Sequence, residues 1–162
     1  YRLTNDSEKI VEQCFAEHKP LSFEILDIDY FKQYNDRYGH QAGDDCVRAI
    51  AALIRQMESD QIFCARYGGD EFVIIYNGMS AEEVCERAEK LRQDVMALHI
   101  ERRYAEGSFG VTISQGICHD IPSNGNKNGD FLHVADQALY RVKRRGRNRL
   151  CMTDIHGREI EV

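Results

Sequence analysis

The chain has 162 residues, and its 27 acidic residues against 21 basic residues give a formal net charge of −6. This length is typical of one domain. The acidic balance argues against a general nucleic-acid binder, because such proteins usually carry a basic surface. The mean hydropathy is −0.52, and the sequence lacks the run of about 18 apolar residues that a membrane-spanning helix needs. Neither nucleic acid nor a membrane is therefore an expected partner.

The six cysteines are widely spaced and lie mostly among apolar neighbours, as Cys46 does beside Val47 and Ile50. The sequence has no short-spaced cysteine or histidine pattern of the kind that binds zinc. We interpret the cysteines as free, buried thiols in a reducing compartment. The sequence therefore predicts a cytoplasmic domain.

Hydrophobic periodicity and turn residues divide the chain into helices and strands. In chain order, we predict a helix over 7–18, a strand over 21–28, a short segment over 31–40 that ends at Gly39, a helix over 44–57, strands over 61–66 and 71–76, a helix over 80–98, a strand over about 108–119, a helix over 130–144 and a strand over 148–153. Asp44 is the expected N-cap of the helix over 44–57. Ser80 and Glu83 form a predicted capping box.

The order of these segments contains a βαββαβ run, which is the ferredoxin-like plan. We therefore predict an α+β fold with a mostly antiparallel sheet. The helices are expected to cover one face of that sheet. Neither a repeat nor a linker interrupts the pattern, so residues 1–162 are expected to form one domain.

Two pairs of acidic residues are predicted to meet at one end of the sheet. The first strand ends in Asp27-Ile28-Asp29, and strand alternation places the two acids on one side. Asp70 and Glu71 follow the turn of a hairpin that lies beside this strand in the βαββαβ plan. Carboxylates so close together need a cation or a proton between them, and oxygen ligands without His or Cys favour Mg²⁺ or Mn²⁺. The alternative is that each acid only ends a strand or caps a turn.

The residues around these acids resemble the motifs of one known family. Arg66-Tyr67-Gly68-Gly69-Asp70-Glu71-Phe72 is similar to the GGDEF motif of diguanylate cyclases. Four further blocks resemble family motifs in the family's order, namely Asp27-Ile28-Asp29-Tyr30-Phe31-Lys32, Asn35-Asp36 with Gly39-His40-Gln41-Ala42-Gly43-Asp44, Ser114-Gln115-Gly116, and residues 135–143 with Gly146-Arg147-Asn148. These ordered blocks cover approximately residues 21–150. Together they are much more specific than one pentapeptide.

The resemblance implies a ferredoxin-like catalytic domain of the nucleotidyl cyclase or palm type. It implies the condensation of two GTP molecules into cyclic di-GMP, in which each 3′-hydroxyl attacks the α-phosphate of the other GTP and two pyrophosphates leave. One domain holds one GTP, so the catalytic form is expected to be a homodimer of facing half-sites. The main alternative is a catalytically inactive GTP-binding domain that regulates a neighbour, although such domains usually lose motif residues that are present here. A mixed product such as cyclic GMP–AMP is a third alternative.

The resemblance also implies a metal site. Asp27, Asp70 and the carbonyl of Ile28 are expected to bind Mg²⁺ or Mn²⁺, two ions per active site, which would neutralise the triphosphate. Glu71 is expected to be either a further metal ligand or the base that takes the 3′-hydroxyl proton.

Two glycines and two polar residues are expected to contact the nucleotide. Gly68 and Gly69 can adopt the positive φ angles of a tight hairpin, and without Cβ atoms they would let the backbone approach the nucleotide. Asn35 and Asp44 match the family's guanine-binding residues, since a carboxylate accepts the N–H donors that guanine presents. The alternative for Asp44 is a simple helix N-cap.

Basic residues match the family's phosphate contacts. Lys32, Lys143 and Arg147 are expected to contact the phosphates, together with the backbone at Phe31. The segment over 141–149 alone would also fit a solvated basic helix end, or RNA or anionic lipid binding. Its other cations are expected to face solvent: Arg144, Arg145 and Arg149.

The sequence departs from the family pattern in two places. Relatives often carry an inhibitory, product-binding RxxD motif before GGDEF, but residues 59–62 here read Ser-Asp-Gln-Ile. We therefore expect no strong feedback inhibition through that site. Of the family's N-terminal DxLTGLxNRR segment, only Leu3-Thr4-Asn5 remains. We expect this domain to be excised from a longer signalling protein that also carries a regulatory sensory domain. In one version of this hypothesis, the longer protein is anchored in a membrane.

Overall fold

The computed structural model describes residues 3–101 and 110–162. Its elements in chain order are α1 (Leu3–Glu17), β1 (Leu21–Ile28), α2 (Phe31–Tyr38), α3 (His40–Arg55), β2 (Ile62–Arg66), β3 (Glu71–Asn77), α4 (Ala81–Ala97), β4 (Ile113–Asp120), α5 (Asn128–Arg144) and β5 (Leu150–Thr153). The predicted strand over 108–119 thus begins at Ile113 in the structure, and residues 108 and 109 of that prediction lie outside the described residues.

The five strands form one sheet in the order β2-β3-β1-β4-β5. All pairings are antiparallel except that of β4 with β5. The helices between β1 and β2 and between β3 and β4 complete the βαββαβ core. The predicted α+β fold class is confirmed.

Helices cover both faces of the sheet, so the expectation that they cover one face is wrong. On one face, α3 and α4 pack against side chains that include Leu26 of β1. On the other face, α1 and α5 pack against Leu21, Phe23 and Ile25. All eight residues of β1 are buried, because an apolar central strand needs a helical layer on each side.

The join between α2 and α3 differs from the prediction. Within the predicted segment over 31–40, residues Phe31–Tyr38 form a helix, α2. Gly39, at φ 92°, ends this helix, and α3 begins at the next residue. Because α3 begins at His40, Asp44 lies inside the helix and is not its N-cap. At α4 the prediction is confirmed, since Ser80 and Glu83 form a capping box.

Gly116 of β4 permits the close approach of α5 to the sheet. A Cβ at this position would lie 2.2 Å from the Leu139 nitrogen and 2.3 Å from the Ala135 carbonyl oxygen. Both atoms belong to the α5 backbone, so no side-chain movement could relieve the contact. This approach brings the C-terminal half of α5 over the end of β1.

Candidate active site

Asp27 lies at the end of the central strand, where three elements meet. Its backbone pairs with Glu71 on one side and Ser114 on the other. Asp27 as a whole is 7% exposed, and one oxygen of its carboxylate forms an ion pair with Lys143 of α5. The other oxygen, Oδ1, is buried without a hydrogen-bond partner. The chain therefore buries a carboxylate oxygen that its own groups leave unsatisfied.

The electrostatic surroundings of Asp27 show that the predicted acids do lie near one another. Burial raises the pKa of Asp27 to about 6, Lys143 opposes this shift, and Asp29 and Asp70 add to it. Burial and the neighbouring Asp70 also raise the pKa of Glu71. A cation at this place would relieve the repulsion between the carboxylates.

The backbone of the hairpin is joined to β1 at the same point. The Ile28 N–H donates to the Asp70 carbonyl at 3.1 Å. Asp70 and Glu71 are both half-buried at the start of β3. The strand end and the hairpin are thus fixed relative to each other by main-chain contacts, which do not depend on the acidic side chains.

The donor set at this end of β1 fits a hard divalent cation. Within residues 3–101 and 110–162 no group of three or more Asp, Glu, His or Cys side chains is gathered closely enough to hold a metal ion. However, the unsatisfied Oδ1 of Asp27 belongs to a carboxylate that lies near Asp29 and Asp70, and carboxylate oxygens are ligands that Mg²⁺ and Mn²⁺ prefer. The residues that could supply oxygen ligands are Asp27, Asp70, Glu71 and the carbonyl of Ile28.

The GG turn is built differently from the prediction. Neither Gly68 nor Gly69 is among the residues with positive φ in the described part of the chain. Arg66 instead closes the turn, since its guanidinium donates to the Gly68 carbonyl at 3.1 Å and to the Gly69 carbonyl at 2.6 Å. A Cβ on Gly69 would have no atom within 4 Å, so this backbone faces open space. Sequence reasoning missed the role of Arg66, although the residue lies only two positions before Gly68.

Asn35 and Asp44 lie on adjacent helices. Asn35 on α2 packs against Gly43 of α3 so closely that a Cβ there would lie 1.7 Å from the Asn35 Oδ1. This Oδ1 is buried and has no hydrogen-bond partner. Asp44, which directly follows Gly43, is exposed. An amide and a carboxylate at neighbouring positions form a suitable surface for the hydrogen-bonding edge of a base.

Two predicted phosphate contacts lie at the start of α2. Phe31 is half-buried and stacks on Tyr34 with the ring planes 7° apart. Lys32 is exposed on the first turn of the helix. The structure thus places Lys32 at the end of β1 that carries Asp27, two residues beyond the left-handed Tyr30 at φ 57°.

Arg147 is held beside the same strand end. Its guanidinium lies over the Tyr30 ring at 4.7 Å and 3.9 Å from the Asp29 Oδ1. Asp29 is buried and accepts hydrogen bonds from Thr112 at 2.7 Å and Ser114 at 2.6 Å. Asp29 is therefore satisfied by the protein, in contrast to Asp27. Neither Tyr30 nor this role of Asp29 was foreseen from the sequence.

Arg144, Arg145 and Arg149 are exposed, as predicted. Arg145 also forms an ion pair with Glu159 in the C-terminal segment. Arg149 donates to the Arg147 carbonyl at 3.0 Å. At the site of the missing RxxD motif, Ile62 is 2% exposed in the core. None of the helices in the described parts of the chain is both long and apolar enough to cross a membrane.

Solved structures place this fold in the class of nucleotidyl cyclase domains. The GGDEF domain of DgcB from Caulobacter crescentus, solved in complex with c-di-GMP, matches at a TM-score of 0.81 and 30% identity, covering 96% of this chain and 95% of that one. The active GGEEF domain of a diguanylate cyclase from Vibrio cholerae matches at a TM-score of 0.78 and 33% identity, covering 93% of each chain.

The family itself follows from the sequence comparison. The model of the diguanylate cyclase GGDEF domain matches residues 2–149, and the chain belongs to this family of nucleotidyl cyclases. A diguanylate cyclase from Vibrio cholerae is 36% identical over 140 residues, which are 83% of this chain and 40% of that protein. DgcP from Pseudomonas aeruginosa is 36% identical over 148 residues, which are 89% of this chain and 21% of that protein. The chain thus spans less than half the length of either relative.

Proposed function

We propose that this domain condenses two GTP molecules into cyclic di-GMP and two pyrophosphates. The observation that carries the proposal is the buried, unsatisfied Oδ1 of Asp27, which lies beside Lys143 and among further carboxylates. A buried carboxylate oxygen without a hydrogen-bond partner is unfavourable, so the arrangement is better explained by a ligand than by folding alone. Family membership supports the same reaction.

The metal would be Mg²⁺ or Mn²⁺, two ions per site, held by Asp27, Asp70, the Ile28 carbonyl and, in one version, Glu71. When bound, the ions would neutralise the triphosphate and polarise the reacting phosphate. The chain's own contribution is a rigid frame, because the Ile28 to Asp70 main-chain hydrogen bond fixes both elements before any ligand arrives.

Guanine would be bound between α2 and α3. The Asp44 carboxylate accepts the N1–H and N2–H donors of guanine, and the Asn35 amide contacts the adjacent edge. Adenine lacks this donor pattern, so a site with these groups selects against ATP. The unsatisfied Oδ1 of Asn35 supports a ligand at this position.

The phosphates would lie between the strand end and α5. Lys32, Lys143 and Arg147 supply charge-assisted hydrogen bonds, the Phe31 amide would add a further donor, and the open backbone of Gly69 leaves space for the nucleotide next to Gly68. These cations meet the terminal phosphates, which leave as pyrophosphate.

The chemical step would be an exchange of phosphorus–oxygen bonds. The 3′-oxygen of one GTP forms a bond to the α-phosphorus of the other, and the bond from that phosphorus to the bridging oxygen of pyrophosphate breaks. Glu71 takes the 3′-hydroxyl proton in the version in which it acts as the base. Burial and Asp70 raise the pKa of Glu71, which favours its acceptance of a proton.

Two copies must meet for this reaction, because one domain holds one GTP and each 3′-hydroxyl must reach the other nucleotide. We infer a homodimer in the cytoplasm, brought together by a sensory domain of a longer protein. The activator SiaC, seen in complex with the Pseudomonas aeruginosa diguanylate cyclase SiaD, illustrates control of a related enzyme by a partner.

The test is incubation of the purified domain with GTP and Mg²⁺, followed by chromatography of the products. Cyclic di-GMP that is lost in Asp70→Ala and Glu71→Ala supports the proposal, and the rate per monomer should rise with protein concentration. Tight GTP binding without turnover, even in a fusion to a dimerising coiled coil, would instead identify a regulatory GTP-binding domain. A mixed cyclic product from GTP and ATP would overturn the assigned guanine specificity.

A further inference from the structure

Three consecutive residues after α5 have left-handed backbone conformations. The φ angles are 110° at Gly146, 67° at Arg147 and 49° at Asn148. Glycine adopts this region readily, but arginine and asparagine do so at a free-energy cost. The segment therefore keeps this shape only because surrounding groups hold it.

Asn148 is the residue of this segment that the surrounding groups hold by hydrogen bonds. Its N–H donates to the Asp29 Oδ2 at 3.1 Å and to the Ser114 Oγ at 3.2 Å. Arg92 of α4 donates from Nη1 to the Asn148 side-chain oxygen at 2.9 Å and to its carbonyl oxygen at 3.3 Å. Contacts from three separate parts of the chain thus hold this one residue.

The Arg92 side chain is itself held in place by Glu89 of the same helix. Its Nε donates to the Glu89 Oε2 at 3.0 Å, and Nη2 donates to the other oxygen of the same carboxylate. The Arg92 side chain is only 17% exposed. This two-point contact fixes the plane of the guanidinium, and Nη1 is the part that remains directed at Asn148. The charge of Arg92 is balanced by Glu89, so Arg92 is not a free cation for phosphate.

The position of Arg147 depends on the conformation of Asn148. Arg147 directly precedes Asn148, and its guanidinium lies over Tyr30 at 4.7 Å and near Asp29 at 3.9 Å. A change of the Asn148 backbone out of the left-handed region would redirect the residue before it. Because Arg92 holds Asn148, the contacts of Arg92 also help to fix the position of the Arg147 guanidinium.

We propose that Arg92 is a positioning residue for the triphosphate end of the site, which acts by holding Asn148 so that Arg147 stays over Tyr30. The proposal rests on the phosphate role of Arg147 in the proposed function. It assigns a role to a residue outside every motif block that resembles the family, on a helix that contributes no proposed substrate contact.

The test measures binding of α,β-methylene-GTP, which cannot react at the α-phosphate, and of GMP, which lacks the terminal phosphates. Titration calorimetry would compare the wild type with Arg92→Ala, Arg92→Lys, Arg147→Ala and the double variant Arg92→Ala/Arg147→Ala. Arg87→Ala, an exposed residue on the same helix, is the matched control. Thermal melts would establish that each variant is folded.

We expect Arg92→Ala to weaken binding of the triphosphate analogue about tenfold, the size of one charge-assisted hydrogen bond. GMP binding should stay unchanged, because the guanine contacts do not involve this segment. Arg92→Lys should resemble Arg92→Ala, since an ammonium cannot contact Glu89 and Asn148 with the same fixed fork. The double variant should bind no more weakly than Arg147→Ala, because both changes remove the same contact.

The outcomes separate this inference from the proposed function. Equal loss of GMP and analogue binding, additive effects in the double variant, or unchanged analogue binding in folded Arg92→Lys would each overturn the positioning role. If Arg92→Ala does not fold, Arg92→Lys decides, because it keeps the long aliphatic stem. If Arg147→Ala itself leaves analogue binding unchanged, the phosphate role in the proposed function is wrong, and the inference fails with it.

Discussion

Glu24 and Tyr76 share a hydrogen bond of 2.7 Å between neighbouring strands, where both side chains are fully buried. Gln115 donates to the other Glu24 oxygen at 3.0 Å and to the Ala88 carbonyl of α4 at 2.9 Å. The Gln115 Oε1 is buried without a partner. Burial raises the pKa of Glu24 from 4.5 to about 7, although the hydrogen bonds from Tyr76 and Gln115 oppose the shift.

Glu24→Gln is expected to stabilise the domain at alkaline pH. Because the pKa of Glu24 is raised in the folded state, its stabilising contribution is complete below the unfolded value of about 4.5 and is lost as the pH rises through 7. Glutamine stays neutral at every pH. The difference in the free energy of unfolding should favour the variant by about 1 to 3 kcal/mol at pH 8 and shrink toward pH 5.

Urea denaturation of both proteins at pH 5, 6, 7 and 8 would measure this difference. Glu82→Gln, at an exposed position of α4, is the control and should show no such dependence. A stability difference that stays constant over the same pH range would contradict the assignment of the titrating group to Glu24.

Gly43→Ala is expected to weaken guanine recognition and leave the fold intact. The new Cβ would lie 1.7 Å from the Asn35 Oδ1, so the Asn35 side chain must move away. Binding of α,β-methylene-GTP should weaken by about tenfold or more, whereas binding of pyrophosphate should not change. The melting temperature should stay near the wild-type value, because the contact is with the end of a side chain that can turn.

Gly129→Ala is the matched control for that experiment. Gly129 lies on the first turn of α5, and a Cβ there would meet no atom within 4 Å. Retained guanine affinity in Gly43→Ala would show that Asn35 does not contact the base.

Gly116→Ala is expected to destabilise the protein and to reduce activity together. Since the Cβ would lie 2.2 Å from a backbone atom of Leu139, α5 must move away from the sheet. We expect a loss of about 1 to 3 kcal/mol in the free energy of unfolding. Because α5 carries Lys143, which pairs with Asp27, the catalytic rate should also fall. A fully stable and active variant in urea denaturation and product assays would show that α5 does not depend on this close approach.

The sequence was sufficient to predict where β1 and α4 lie, because the limits of these two elements depend on local features. The apolar run that ends at Asp27 sets the strand, and the reciprocal contact of Ser80 and Glu83 starts the helix. The start of α3 was missed because two helices meet at Gly39 without a loop. In that case Asp44 has the residue type of an N-cap but lies one turn inside the helix.

Other features depend on specific side-chain contacts that the residue pattern alone does not indicate. The conformation of Gly68 and Gly69 is set by the Arg66 side chain. The burial of Asp29 depends on Thr112 and Ser114, more than 80 residues further along the chain. The convergence of the acids was predictable, because the βαββαβ plan places β3 beside β1.

Cyclic di-GMP is expected to inhibit this domain only by competition at the active site. Ser59 replaces the arginine of the missing motif, and Ile62 replaces its aspartate. Ile62 is 2% exposed and packs in the core, so the chain presents no carboxylate there. Initial rates at increasing product concentration should show inhibition that excess GTP removes. Inhibition that GTP does not remove would reveal a separate product site.

Asp27→Asn is expected to abolish the stabilisation of the domain by metal and nucleotide. The wild type should gain thermal stability when Mg²⁺ and α,β-methylene-GTP are added, because a ligand of the folded state raises its stability. In the variant, the neutral amide is a weaker ligand for a hard cation, and Lys143 loses its charged partner.

The melting temperatures of both proteins would be compared with and without these ligands, and Asp130→Asn, at an exposed carboxylate on the first turn of α5, serves as the control. We expect the shift to vanish in Asp27→Asn and to persist in the control. A variant that retains the full shift would show that the unsatisfied Oδ1 of Asp27 is not a metal ligand. That result would remove the main structural support for the proposed reaction, because no other described carboxylate at the strand end combines burial with an unpaired oxygen.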